Sequence, residues 1–268
     1  MTGRDAVLEL LCEPLPAACA RAASARLLEL AAEELAGLVP PGGGLEACAT
    51  CRRLVLYATG VPAARGKALA AAFPRLLARL DLPGSRAWEG SGFRFPRPVR
   101  GLAALHGDRP VAFAAAGLRS GRFTEGHEAL GPRRVKLACA EKYFSALGHA
   151  SVLVRETERL AAMRGALEAA SRRMKLRVEA GGEALAACLY LAEYPVPVVS
   201  GFPQRLLELP PERLRAAMLA LRFFPVTDQA GRLQPYFAAF RDGVSKGQRE
   251  VEEGFRAALE AALSPPAR

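Results

Sequence analysis

The sequence predicts an α+β fold: mixed and antiparallel sheets with β-hairpins packed against helices, ending in a C-terminal helix. Three observations carry that expectation. Turn residues sit between apolar runs twice: His106-Gly107-Asp108-Arg109 between Val99–Leu105 and Pro110–Gly117, and Asp228-Gln229-Ala230-Gly231 between Phe223–Thr227 and Leu233–Phe240. Gly and Asp in so short a connector favour a tight reversal, hence two antiparallel hairpins. Elsewhere apolar residues recur every three or four positions, the period of a buried helical stripe. Helices and strands alternate irregularly, with no internal repeat.

Each element follows in chain order. Ala6–Leu11 is an apolar run expected to be a strand, stopped by Pro14 and Pro16. A helix is expected over 17–38, with Leu27, Leu28, Ala31, Leu35 and Leu38 on one stripe, ended by Pro40-Pro41-Gly42-Gly43-Gly44. Leu54, Leu56 and Ala58 alternate in a strand expected over about 47–58. A helix over 62–82 carries Leu69, Phe73, Leu76, Leu77 and Leu80. Pro83-Gly84-Ser85 opens a linker holding the only tryptophan, Trp88, expected as a core anchor. After the first hairpin and the Ser120–His127 loop, a short helix is expected over 139–147 and a short strand over Ser151–Val154. A long helix over 155–174 should bury Leu160, Met163, Leu167, Ala170 and Met174 and show Arg155, Glu156, Arg159, Arg164, Glu168, Arg172 and Arg173 to solvent.

Gly181-Gly182 then breaks the chain, and a helix over 183–193 ends at Tyr194-Pro195. Val196–Val199 is a strand, and Pro210-Pro211-Glu212 starts a helix, with Pro where the first turn tolerates it. The second hairpin follows, and a helix over about 245–263 ends at Pro265-Pro266. These elements group into a strand–helix–strand unit over 1–60, a helical linker over 61–92, and an α+β domain over 93–268.

The chain has 268 residues, 51% of them apolar, enough for one large domain or two small ones with a sizeable core. Its net charge of +10 favours nucleic acid or another anionic surface. The cations are almost all Arg beside abundant Ala, Gly, Pro and Leu, a bias that coding composition alone can produce. Local density is therefore more informative. Between residues 94 and 134, Arg94, Arg97, Arg100, Arg109, Arg119, Arg122, Arg133 and Arg134 face only Asp108, Glu125 and Glu128. Guanidinium pairs bidentately with phosphate, so such a density beside a rigid hairpin suits a polyanion.

No apolar run is long enough to span a membrane, and Asp5, Glu9 and Glu13 interrupt what would be a signal peptide. The six cysteines, at 12, 19, 48, 51, 139 and 188, are scattered and are expected to be reduced thiols of a cytoplasmic protein.

Several chemistries lack their residues. Gly42-Gly43-Gly44 has no following Lys-Ser/Thr, so there is no phosphate-binding loop of the Walker type. The three histidines, His106, His127 and His149, form no His-Asp dipeptide for a metal phosphohydrolase. Cys48-Ala49-Thr50-Cys51 is a lone CxxC; zinc needs two more ligands, and a strand start is the wrong place for a redox pair. Cys139 with His127 is the only nucleophile–base pairing on offer, and no local signal supports it. Of Glu9 and Glu13, one is expected to cap the following helix.

The motifs, in order, resemble the N-terminal part of the β subunit of the bacterial heterotetrameric glycyl-tRNA synthetase. Glu9-Leu10-Leu11-Cys12-Glu13-Pro14-Leu15-Pro16 is similar to that family's E-I-G-x-E-E-L-P, and Thr50-Cys51-Arg52-Arg53-Leu54 to its T-P-R-R-L. Arg97-Pro98-Val99-Arg100-Gly101-Leu102 with Leu105-His106-Gly107-Asp108 matches R-P-V-R-W-L and L-L-G-D. Ser120, Arg122, Gly126, His127 and Leu130 match S-x-R-x-x-x-G-H-R-F-L, with Glu128 replacing an Arg. Leu191-Ala192-Glu193-Tyr194-Pro195, Leu209-Pro210-Pro211-Glu212-Arg213-Leu214 with Met218, Arg222–Val226, and Asp228, Gly231, Leu233, Pro235 and Phe237 continue the series.

In that family a separate α subunit activates glycine with ATP, and β chiefly handles tRNA. The resemblance therefore implies a reduced β subunit or a stand-alone paralogue, without the family's HD-like and anticodon-binding domains. It implies tRNA and an α subunit as partners, and no cofactor, catalytic residue or metal ligand on this chain. Arg94, Arg97, Arg100, Arg119, Arg122 and His127 are the candidate tRNA-binding residues. The alternative is a free-standing tRNA- or RNA-binding module, or a deacylase-like paralogue using His127 or Cys139.

Overall fold

The computed structural model describes residues 3–244 and 246–264. The fold is α+β with antiparallel sheets and a C-terminal helix, and the chain divides into two compact units, Met1–Glu156 and Thr157–Arg268. Position 245 and the Pro265-Pro266 terminator of the expected last helix lie outside the described residues.

The first unit runs β1 (Gly3–Cys12), α1 (Ala17–Glu34), β2 (Leu45–Ala49), β3 (Arg53–Pro62), α2 (Gly66–Ala78), β4 (Arg86–Ala87), β5 (Arg94–Phe95), β6 (Val99–His106) and β7 (Arg109–Pro110). It continues with β8 (Ala114–Ala115), β9 (Leu118–Arg119), β10 (Phe123–Thr124), β11 (Val135–Lys136) and α3 (Tyr143–His149). Its main sheet has the order β2-β3-β1-β6-β7, all antiparallel. β1 is central and is buried continuously from Ala6 to Cys12. A strand covered on both faces reads as an unbroken apolar run, which is why AVLELL lacks alternation. α1 packs on β2, β3 and α2. Val7, Val55, Tyr57, Ala103 and Leu105 meet Leu137, Tyr143, Leu147, Val152 and Val154 in one core cluster.

The second unit comprises α4 (Glu156–Met174), β12 (Arg177–Val178), α5 (Gly182–Cys188), β13 (Pro195–Gly201), α6 (Pro211–Ala220), β14 (Phe224–Thr227), β15 (Leu233–Asp242) and α7 (Gln248–Leu263). Its sheet has the order β12-β14-β15-β13. Leu214, Met218, Phe223, Phe237, Leu259 and Leu263 form its core, with the Phe223 and Phe237 rings stacked 4.4 Å apart.

Several expectations are corrected. The strand expected over 47–58 is a hairpin: Cys48 pairs with Val55 and Ala49 with Leu54 across a turn at Thr50-Cys51-Arg52. No Gly or Pro marks it; the Thr50 side chain makes it, accepting from the Arg52 N–H at 3.1 Å. The first helix ends at Glu34, where Gly37 turns the chain at φ +76°. The hairpin at His106–Arg109 forms, but its second arm is only Arg109–Pro110. The Val111 N–H still donates to the Ala104 carbonyl, and the arm ends because the Ala104 N–H turns to another acceptor. Gly121 takes the next place beside β6, accepting from the Ala104 N–H and donating to the Leu102 carbonyl. Ser151–Val154 is irregular, although Val152 and Val154 are buried. Trp88 is 43% exposed rather than a core anchor, and its indole N–H donates to the Phe95 carbonyl. Arg159, expected on a solvated face, is fully buried and donates to the Leu189 carbonyl at 3.0 Å.

Candidate nucleic-acid interface

Glu9 and Arg53 lie at the centre of the first unit. On β1 and β3, Leu11 pairs with Arg53 and Glu9 with Val55, so the two charged residues are diagonal neighbours on one face of the sheet. Arg53 Nη1 is 3.4 Å from both Glu9 carboxylate oxygens and donates to Thr124 Oγ1 at 2.9 Å; Nη2 donates to the Gly126 carbonyl at 3.3 Å. The Thr124 and Tyr143 hydroxyls donate to the Glu9 carboxylate. All four side chains are buried, as buried charge requires full pairing. Glu9 therefore caps no helix; Pro16 occupies that position. Sequence reasoning missed this network because its members are 44 to 134 residues apart.

The network fixes the segment after β9. Thr124 faces inward from β10, while Phe123, one residue earlier, faces out and is 40% exposed. On the paired strand β11, Val135 and Leu137 turn toward the core, and Lys136, opposite Phe123, is exposed. The guanidinium carbon of Arg134 lies 3.7 Å from the Phe123 ring centre. This period-two alternation was visible in the sequence only at ribbon length, too short to register as strand.

The six candidate residues do not converge. Arg97 donates to the Pro14 carbonyl at 3.1 Å, and Arg100 pairs with Glu13 at 2.5 Å, both near the start of β6. Arg122 reaches the Asp108 carbonyl at 2.8 Å, beyond the strand's other end. At about 3.3 Å per residue, roughly 20 Å of strand separates those two groups. Arg94 donates to the Ser85 carbonyl, and Arg119 is exposed on β9. His127 is 4% exposed; its backbone N–H donates to the Ala150 carbonyl and its ring Nδ1 accepts from the Ala129 N–H. Exposed Arg109, Arg119, Arg133 and Arg134 carry no acidic partner among the described residues.

In the second unit a cleft of about 530 Å³ lies between α4, β12 and α5, lined by Arg164, Arg172, Arg177, Glu168, Ser171 and Leu185. Arg172 is 3.9 Å from Glu168, while Arg164 and Arg177 have no acidic partner among the described residues.

Cys48 and Cys51 are buried, and the described residues contain no group of three or more His, Cys, Asp or Glu arranged for a metal. Burial pushes the Cys139 thiol up, away from thiolate chemistry. Among the described residues no helix is long and apolar enough to cross a membrane.

Residues 63–265 match the family described as glycyl-tRNA synthetase beta subunit. The chain is 36% identical over 210 residues to the glycine–tRNA ligase beta subunit of Desulforudis audaxviator, covering 78% of this chain and 30% of that protein. It is 33% identical over 193 residues to the beta subunit of Halothermothrix orenii, covering 71% and 28%. To that of Streptococcus equi subsp. zooepidemicus it is 32% identical over 200 residues, covering 74% and 29%. The chain thus spans less than a third of the length of the curated relatives it matches.

Proposed function

The chain belongs to the glycyl-tRNA synthetase beta subunit family, and from that premise we propose an accessory role in glycine–tRNA ligation through binding of tRNA, an alpha subunit, or both. On this reading glycine and ATP are activated on a separate alpha chain, and this chain supplies electrostatic and shape complementarity to tRNA. Membership of the family carries the proposal; the exposed arginines support it. Arg109, Arg119, Arg133 and Arg134 have their charge available, and neutralising phosphates with such groups releases counterions. The arginine-lined cleft of the second unit supports an anionic partner in the same way.

The test mixes the chain with a glycyl alpha subunit from the same cell and its tRNA. Complex formation by size-exclusion chromatography and aminoacylation are scored together. Co-elution with tRNA, the alpha chain or both is the expected result. Separate elution of all three, with aminoacylation unchanged by the chain, would overturn the proposal.

A further inference from the structure

We propose that Phe123, Arg134 and Lys136 form a platform on which one unpaired base of an RNA strand stacks. This deepens the reading above and rests on it.

The two-stranded ribbon of β10 and β11 gives the platform its geometry. Phe123 stands directly across from Lys136, and Arg134 lies two residues before Lys136 on the same strand face. The three side chains therefore share the solvent side, while Thr124, Val135 and Leu137 point into the core. An aromatic ring left 40% exposed beside a fully buried neighbour is a specific placement, and Arg134 covers one face of it. Bases stack on aromatic rings and on guanidinium planes alike, and here the Arg134 guanidinium is stacked over one face of the Phe123 ring, a two-layer stack that a base can extend. Lys136 and the adjacent Arg133 are exposed, without acidic partners among the described residues, and suit the flanking phosphates.

The surrounding charge favours the same occupant. From Arg122 to Lys136 there are four cations and two acids, and one acid, Glu128, is paired with Arg52 at 2.8 Å. The ribbon is also rigid. Thr124 is tied to Glu9 and Arg53, and the Leu137 N–H donates to the Arg122 carbonyl at 2.8 Å. A preorganised platform loses little conformational freedom on binding. Duplex RNA hides its base faces, so an unpaired segment is the ligand this site would take.

The test measures fluorescence anisotropy with labelled tRNA, a single-stranded oligoadenylate and a duplex of the same length. Wild type, Phe123→Ala, Phe123→Trp and Lys136→Ala are compared, with thermal unfolding as the control for folding. Phe123→Ala should weaken single-strand and tRNA binding about tenfold while leaving the salt slope unchanged. Phe123→Trp should restore affinity, and Lys136→Ala should lower the salt slope by about one. If wild type binds tRNA but Phe123→Ala binds all three RNAs equally well, the platform alone fails. Duplex binding as tight as single-strand binding overturns it too. If wild type binds no RNA, the tRNA-binding reading fails with it.

Discussion

Arg53 and Glu9 form an ion pair sealed from solvent, with side chains 0% and 1% exposed and Nη1 3.4 Å from the carboxylate. Removing one partner leaves the other charged and buried. Glu9→Gln or Arg53→Met should therefore cost about 3–5 kcal/mol, measured by urea unfolding. The double variant Glu9→Met/Arg53→Met should cost less than the sum of the single changes, because no buried charge is orphaned. Single-variant losses below about 1 kcal/mol would count against this assignment.

Gly131 tests the packing of the His127 segment. A Cβ there would sit 2.4 Å from the Ala150 carbonyl oxygen and 2.5 Å from the His127 nitrogen, both backbone atoms that cannot step aside. Gly131→Ala should destabilise by about 1–3 kcal/mol or more. Gly148, inside α3, has nothing within 4 Å of a built Cβ, so Gly148→Ala should stabilise by about 0.5–1 kcal/mol. Thermal or urea unfolding of the two variants, side by side, checks both signs.

The long periodic elements were legible because local physics decides them. The stripe from Met163 to Ala170 on α4 and the Asp228–Gly231 reversal needed only neighbours in sequence. What stayed hidden depends on distant partners or on unmarked turns. Arg53 and Arg159 are buried cations, yet an arginine's residue type points to the surface, and their partners lie 30 to 73 residues away. The Thr50 turn lacks Gly and Pro, so two strands looked like one. Arg100 and Arg122 were neighbours only in sequence, since Arg100 lies at the start of β6 and pairs with Glu13 while Arg122 reaches Asp108 beyond the strand's other end.

His127 is expected to act through structure. His127→Ala removes the acceptor for the Ala129 N–H and should cost about 1–3 kcal/mol in urea unfolding. His127→Asn, whose side-chain oxygen can replace Nδ1, should recover most of that loss. RNA affinity of the folded Asn variant should match wild type; a tenfold loss would make the imidazole a direct contact.

Burial pushes the Cys188 thiol from its usual 9.0 to about 11, partly offset by Arg222. As pH rises past the usual value, the unfolded chain gives up this proton first, so unfolding is favoured until the folded thiol also ionises. This contribution is intact below about pH 9 and is lost progressively toward about pH 11, amounting to roughly 2–3 kcal/mol. Tyr57 is raised too, by burial and then by its hydrogen bond to Asp5, and acts in the same direction. The informative quantity is therefore the difference in pH slope between wild type and Cys188→Ala, which should be smaller for the variant.

Binding of tRNA across a salt series tests the polyanion reading most directly. The predicted result is a linear fall of log affinity with log salt, with a slope of magnitude about 3 or more. Reversing Arg109, Arg119 and Arg133 to Glu should remove measurable binding without moving the thermal midpoint. Affinity indifferent to salt, or unchanged in that triple variant, would contradict it.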